Sequence, residues 1–406
     1  MSKIRIKNFG VIHDSGWLDI KKVTVFLGNQ GSGKSTVAKL ISTFLWMEKV
    51  LFRGDYTIKQ FERKGIFKSQ RLKYHRIENY LISDSGRKTT IEFKGEIYDF
   101  NFSDGRLSIS EKINKYNYYL PEIVYIPAER NFISYVKSSK ELKLSSDSFN
   151  GFVDDYNEAK TSINGGVLLP INKSIIEYDR LNDRIKLKGP KHKSIMLFEA
   201  ASGFQSVAPL FLVSHHFSNL IIDSKQSNEI SNEKIARFKK QVEEIYNNKD
   251  LSEELRKAAM SALSKKFRKE AFVNIVEEPE QNLFPKSQAD IFYALLGFNL
   301  PENNMLITTT HSPYIIGALS LAIKAAAVKE KIKSRTDLLK RLSDIVPDNA
   351  MVKAEDVAIY QLEENTGTAT LLSMDYGVPS DKNYLNELLG GLDSDFDRLL
   401  DIEDDL

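Results

Sequence analysis

The apolar positions follow two periods. Some short runs alternate with polar residues or are apolar throughout, as strands are, while longer stretches repeat at helical spacing. From Lys3 to Phe9, Ile4 and Ile6 alternate with Lys3, Arg5 and Lys7, which predicts a strand with one wet face. A turn at Gly10 or at Asp14-Ser15-Gly16 leads to a second strand near Trp17 to Ile20, and Val23 to Leu27 reads as a buried one. Three short runs, Lys88 to Phe93, Glu96 to Phe102 and Arg106 to Glu111, are broken by Gly95 and Asp104-Gly105 and predict a β-meander. Buried strands are also predicted at Glu122 to Ile126, Ala271 to Val276 and Asn304 to Thr310. Helical spacing recurs through Val37, Leu40, Ile41, Phe44 and Leu45, and over Phe152 to Ile163, Val207 to Leu220 and Ile315 to Val328. Otherwise 131–193 reads as an irregular insertion, and 223–270 as a charged helical hairpin broken at Asn247 to Asp250. Beyond Lys333 the pattern gives one more helix, a β-like segment (Asp356 to Leu362, Ala369 to Ser373) and an acidic end, Asp393 to Leu406, read as a solvated tail.

Between the Val23 strand and the first helix lies Gly28-Asn29-Gln30-Gly31-Ser32-Gly33-Lys34-Ser35-Thr36, which fits G-x-x-x-x-G-K-[ST] with strand and helix on the correct sides. Glycines let successive N–H groups turn toward phosphate oxygens, and the helix adds the positive end of its dipole. Lys34 would reach the β- and γ-phosphates and Ser35 would place its hydroxyl on Mg²⁺.

Composition narrows the setting. The chain has 406 residues, a formal net charge of +2 and no cysteine. Disulfides, thiolate metal sites and cysteine nucleophiles are thereby excluded, and any basic surface must be local. No stretch resembles a signal peptide or reaches bilayer length, so a cytoplasmic protein without a membrane partner is expected. Over 51–80, Arg53, Lys59, Arg63, Lys64, Lys68, Arg71, Lys73 and Arg76 interleave with Phe52, Tyr56, Phe61, Phe67, Tyr74 and Tyr80. That mixture grips nucleic acid when its aromatics face outward, and is a solvated face when they face the core, the reading preferred here.

Two strand ends carry further chemistry. Glu277 and Glu278 close the Ala271 strand, where a nucleotide hydrolase needs one carboxylate on the Mg²⁺ shell and another to polarise water. Adjacent strand residues point to opposite faces, so a turn-off at Pro279 would be needed to bring both to one site. His311, after the Thr-rich strand and before Ser312-Pro313, can hydrogen-bond a γ-phosphate. His13, His75, His192, His215 and His216 keep a structural reading.

The ordered set GNQGSGKST, YIPAER, ASGFQS, IVEEPEQNLFP and TTTHSP resembles the ABC-type ATPase heads of the SMC/RecF/OLD group, and most closely the compact AAA-family members of bacterial anti-phage and toxin-like systems. The resemblance implies an α/β fold: an ABC-type P-loop NTPase head with a mixed central sheet, an antiparallel β lobe (about 1–20 and 88–112) and helical insertions. The head would span 1–330, followed by a C-terminal segment, 331–406. It implies a Walker A loop at Gly28 to Thr36, an ABC signature at Ser202, Gly203 and Gln205, and a Walker B pair with Glu277 on the metal and Glu278 catalytic. Glu280 to Pro285 would be the D-loop region and His311 the switch histidine. ATP and Mg²⁺ would be the cofactors. One signature and one Walker A per chain imply at least a homodimer, each signature capping the γ-phosphate held by the other copy. The sequence departs from the pattern at Glu277, where aspartate is usual, at Phe204, where a second glycine is usual, and near Tyr125 to Arg130, which lacks the Q-loop glutamine. Glu129, Arg130 or another residue would take that last role.

These readings point to an ATP hydrolase that regulates or scaffolds a separately encoded effector, a nuclease or toxin. The competing readings are a RecF-like DNA-binding repair ATPase and a nucleotide-gated scaffold with weak hydrolysis.

Overall fold

A computed structural model describes residues 2–82, 87–112, 118–136, 146–190, 194–226, 270–301, 303–332, 335–375 and 377–404, with 240, 242–245, 247–248, 252 and 255–256. The expected helical hairpin at 223–270 lies largely outside the described residues.

Strands β1 (Lys3–Phe9), β2 (Ile12–Asp14), β3 (Leu18–Asp19) and β4 (Val23–Gly28) open the chain. β5 (Thr90–Lys94), β6 (Tyr98–Ser103) and β7 (Arg106–Glu111) form the predicted meander, and β8 (Pro121–Ile126) follows it. A separate four-stranded antiparallel sheet consists of β9 (Gly166–Leu168), β10 (Ile175–Asp179), β11 (Arg184–Lys188) and β12 (Ile195–Met196). Over 166–188 and 195–196 the chain is therefore more regular than its Ser- and Gly-rich sequence suggests, with Ile176, Ile185 and Leu187 turned inward from the sheet. The remaining strands are β13 (Ala271–Glu277), β14 (Met305–Thr310), β15 (Val357–Glu363) and β16 (Thr368–Leu371).

One 12-stranded sheet runs β7-β6-β5-β1-β2-β16-β15-β4-β14-β13-β8, with β3 beside β1. Its β15-β4-β14-β13-β8 half is parallel and its β7-β6-β5-β1-β2 half antiparallel. A mixed central sheet with an antiparallel lobe and helical insertions is the arrangement expected from the sequence. The boundary expected at 330 is crossed by the sheet itself: β15 pairs with β4 over Val357 to Leu362.

Helices cover both faces. α1 (Lys34–Arg53) follows the 28–33 loop, α2 is Asp147–Thr161 and α3 is Ser202–Gln226. α4 (Pro285–Asn299), which the pattern reading passes over, precedes α5 (Pro313–Ile332) and α6 (Thr336–Ser343). α7 (Tyr384–Asp404) replaces the expected acidic tail, because its leucines and Phe396 recur at helical spacing between the carboxylates. Along β4, Val23, Val25 and Leu27 enter one core with α3, α4 and α5, while Phe26 enters the other with α1 and the lobe. In the 51–80 segment Phe61 and Phe67 are buried, Phe52 and Tyr56 pack on that second core, and Arg71 lies 4.5 Å over Trp46. Its aromatics thus mostly face inward, Tyr74 and Tyr80 being the exposed ones. His75 is buried edge-on to Tyr125, and burial holds its pKa down at about 3, in keeping with a structural role.

Glu48 ties α1 to the lobe. Its Oε1 accepts from the Ile97 and Tyr98 amides at 2.7 and 3.0 Å, while Oε2 is buried without a hydrogen-bond partner among the described residues. Burial outweighs those two bonds and lifts its pKa from 4.5 to about 7. The native chain therefore keeps a proton that the unfolded chain releases, so stability falls as pH rises from 4.5 toward 7. Glu48→Gln is expected to remove that component, about 3 kcal/mol across the window, which urea unfolding at pH 4.5, 6 and 7.5 would read as a flatter profile.

Candidate active site

The parallel strands end together. Leu27 of β4 pairs with Thr310 of β14, and Thr309 of β14 pairs with Glu277 of β13. Gly28, His311 and Glu278 therefore leave the sheet at one height on three neighbouring strands, with adjacent strands about 4.8 Å apart. The carboxyl ends of parallel strands are where α/β sheets hold ligands.

Gly28 closes β4 at φ +151°, and a Cβ there would sit 2.5 Å from the Leu362 carbonyl of β15. Only glycine fits between those two strands and still turns the chain. Asn29, Gln30 and Gly31 are exposed at the loop crest, Ser32 is buried beneath it, and Gly33 precedes α1 without any side-chain cap. The first amides of α1 are thus left for an anion. Lys34 folds back, its Nζ donating to the Gly28 and Asn29 carbonyls at 2.9 and 2.7 Å. Burial pulls the Lys34 pKa down, while the charges of Glu278, Glu280, Glu277 and Glu364 hold it up. Ser35, half-buried, and Thr36, buried, complete the first turn.

The turn that separates Glu277 from Glu278 is not at Pro279, as the sequence suggests, but at Glu278 itself. Its N–H still bonds the Thr309 carbonyl at 3.0 Å, and its φ is then +44°. A left-handed glutamate is strained by about 1–3 kcal/mol and persists only where its surroundings hold it. The Glu277 carboxylate is buried, with Oε2 accepting from Ala128 N at 3.2 Å and Oε1 without a partner among the described residues. Tyr125 stands beside it, its ionisation pushed well up by burial and by the Glu277 charge. Glu278 reaches outward, and its Oε1 lies 3.7 Å from His311 Nδ1.

Glu280, two residues on, has a role that spacing alone does not reveal. Its buried Oε1 accepts from Thr310 Oγ1 at 2.7 Å and from His311 N at 2.9 Å, and lies 3.8 Å from His311 Nδ1. Burial raises its pKa despite those bonds. It fixes the backbone from which His311 projects. Glu364, just after β15, is a second residue the sequence reading misses, since nothing in its local pattern places β15 beside β4.

Arg130 is fully buried. It donates to the carbonyls of Glu277 and Glu278, each at 2.6 Å, of Ser206 at 3.0 Å and of Pro127 at 3.3 Å. Ser202 is exposed at the start of α3 with Gly203 beside it. A Cβ on Gly203 would meet the Asn282 carbonyl at 2.8 Å. Gln205 is buried, and its Nε2 donates to the Phe198 and Ala200 carbonyls at 3.1 and 2.9 Å, bracing the helix start from within. Among the described residues no helix is long and apolar enough to cross a membrane.

No protein-family model and no curated protein matches the chain. Among solved structures it is similar to the SMC head domain from Thermotoga maritima, at 11% identity and TM-score 0.34, over 92% of this chain and 98% of that one. It is also similar to an SMC head bound to the C-terminal winged-helix domain of ScpA, at 12% identity and TM-score 0.38 over 92% and 97%. A third is the recombination mediator protein RecF, at 12% identity and TM-score 0.32 over 91% and 97%.

Glu280→Ala would leave Thr310 Oγ1 and His311 N without their acceptor, and is expected to cost about 1–3 kcal/mol in urea unfolding at an unchanged m-value. Glu280→Gln, which keeps an acceptor oxygen, should recover most of that loss.

Proposed function

We propose that the chain is a Mg²⁺-dependent cytoplasmic ATPase that closes as a homodimer on two ATP molecules and thereby regulates an associated effector. The observation that carries this reading is strand register, which brings the 28–36 loop with Lys34, the Glu277–Glu278 turn and His311 out of three neighbouring strand ends on one edge. The charges of Glu278, Glu280 and Glu277 are felt at Lys34 across that edge.

In this reading the uncapped amides of the 28–36 loop and Lys34 hold the triphosphate. Magnesium fits the residues present: Oε1 of Glu277 is a buried carboxylate oxygen without a hydrogen-bond donor among the described residues, beside Tyr125, and Ser35 lies in the first turn of α1. Glu277 and Ser35 would hold the ion, which when bound neutralises charge on the phosphates. Glu278 takes a proton from the attacking water, and His311, held by Glu280, donates to the γ-phosphate. Ser202 and Gly203, at a helix start open to the surface, cap the γ-phosphate of the other copy, with Gln205 serving as their brace.

The effector, a separately encoded nuclease or toxin in anti-phage defence, rests on the motif resemblance and on the far end of α7. There Phe396, Leu399, Leu400 and Ile402 are exposed together, as a surface awaiting a protein partner would be. A RecF-like grip on duplex DNA has less support, because most aromatics of 51–80 pack into the core.

Wild type is expected to release phosphate from ATP. Lys34→Ala should lose nucleotide binding, while Glu278→Gln should bind ATP, accumulate dimer and turn over about 10²–10⁴-fold more slowly. Coupled phosphate-release and sedimentation assays check both, and equal turnover in the three proteins would remove the assignment. Tight binding with negligible release by wild type would favour the nucleotide-gated scaffold.

A further inference from the structure

A guanidinium with no exposure demands an explanation, since burying a cation is costly unless every donor finds an acceptor. Arg130 engages all three of its guanidinium nitrogens with backbone alone, through four hydrogen bonds. Its acceptors belong to three segments: Pro127 at the exit of β8, Glu277 and Glu278 at the end of β13, and Ser206 one turn into α3. Among the described residues no carboxylate lies within ion-pair distance of it. A methionine or leucine of similar size would fill the same space without a charge to satisfy, so what the arginine adds is the fork of bonds and a positive charge in the field of Glu280, Glu278, Glu277 and Glu129.

The same segments are joined again. Asn282 Nδ2 donates to Ser206 Oγ at 2.9 Å, and Gly203 packs against the Asn282 carbonyl. Being fully buried, Arg130 cannot itself present donors to a nucleotide, so it does not stand in for the Q-loop glutamine by direct contact.

We propose that Arg130 is a positioning residue coupling the two half-sites of one chain: the Glu277–Glu278 turn, which serves the chain's own ATP, and the Ser202–Gly203 helix start, which serves the partner's. The inference rests on the composite-dimer reading above. A shift of the Glu278 carbonyl on nucleotide binding pulls one arm of the fork, and the other arm carries it to Ser206, one turn from the signature. By linkage the effect is reciprocal, so docking on the partner's nucleotide also presses back on the chain's own catalytic turn. Couplings of this kind correspond to about 5–150-fold in affinity.

The test uses the full chain in a Glu278→Gln background, with ATP-driven dimerisation read by sedimentation velocity and nucleotide binding by a fluorescent ATP analogue. Arg130→Met and Asn282→Gly are compared, with Arg130→Lys as the conservative variant. Asn282→Gly keeps the left-handed backbone at φ +60° and removes only the side-chain bond, so it reports even where Arg130→Met folds poorly. Expected is binding of the analogue within about threefold of the parent, with dimerisation weakened by about 5–150-fold in Arg130→Met and Asn282→Gly. Arg130→Lys should fall between Arg130→Met and the parent. Turnover in the otherwise wild-type chain should lose its cooperativity in ATP. A parent that dimerises while both variants dimerise equally well overturns the coupling alone, as does dimer loss that only tracks loss of ATP binding. A parent that binds ATP yet stays monomeric overturns the dimer reading and the coupling with it.

Discussion

The site depends on strand register. β14 is hydrogen-bonded to β4 on one side and β13 on the other, so the loops carrying Lys34, His311 and Glu278 start from fixed points on one edge. A slip of one residue in either ladder would turn every side chain of that strand to the opposite core. The two cores prevent it, because Val25 and Leu27 are matched to one and Phe26 to the other. Packing far beneath the loops thus sets their geometry.

Around that frame, buried ionisable side chains lean on backbone groups. Glu280 leans on the His311 amide, Glu277 on the Ala128 amide, Glu48 on two amides of the lobe, and Arg130 on four carbonyls. Backbone groups are pinned by the secondary structure they belong to, so each bond also locks a loop to a strand or helix. A buried ionisable group satisfied this way acts as a fastener between segments distant in sequence.

Much of this was legible in the chain. The 28–36 loop announces itself because its glycines and lysine are local requirements of one turn, and the apolar runs before Glu277 and His311 fix both strands. What the sequence does not carry is lateral order. The β-like run at 356–362 is visible, but nothing local says that it lies against β4 and makes Gly28 obligatory. Arg130 and Glu280 likewise look like surface charges by residue type, and only burial beside open backbone groups reveals them. The four-stranded sheet within 131–193 hides because its strands are short, and α7 because its acidic residues mask its apolar spacing.

The left-handed backbone at Glu278 sets folding and chemistry against each other at a single position. Asparagine and glycine occupy that conformation at lower cost, so drift toward a hardier chain favours exactly the substitutions that delete the carboxylate. Under the proposed function, a lineage that no longer needed hydrolysis would gain stability by surrendering it there first, and would keep the 28–36 loop as a relic.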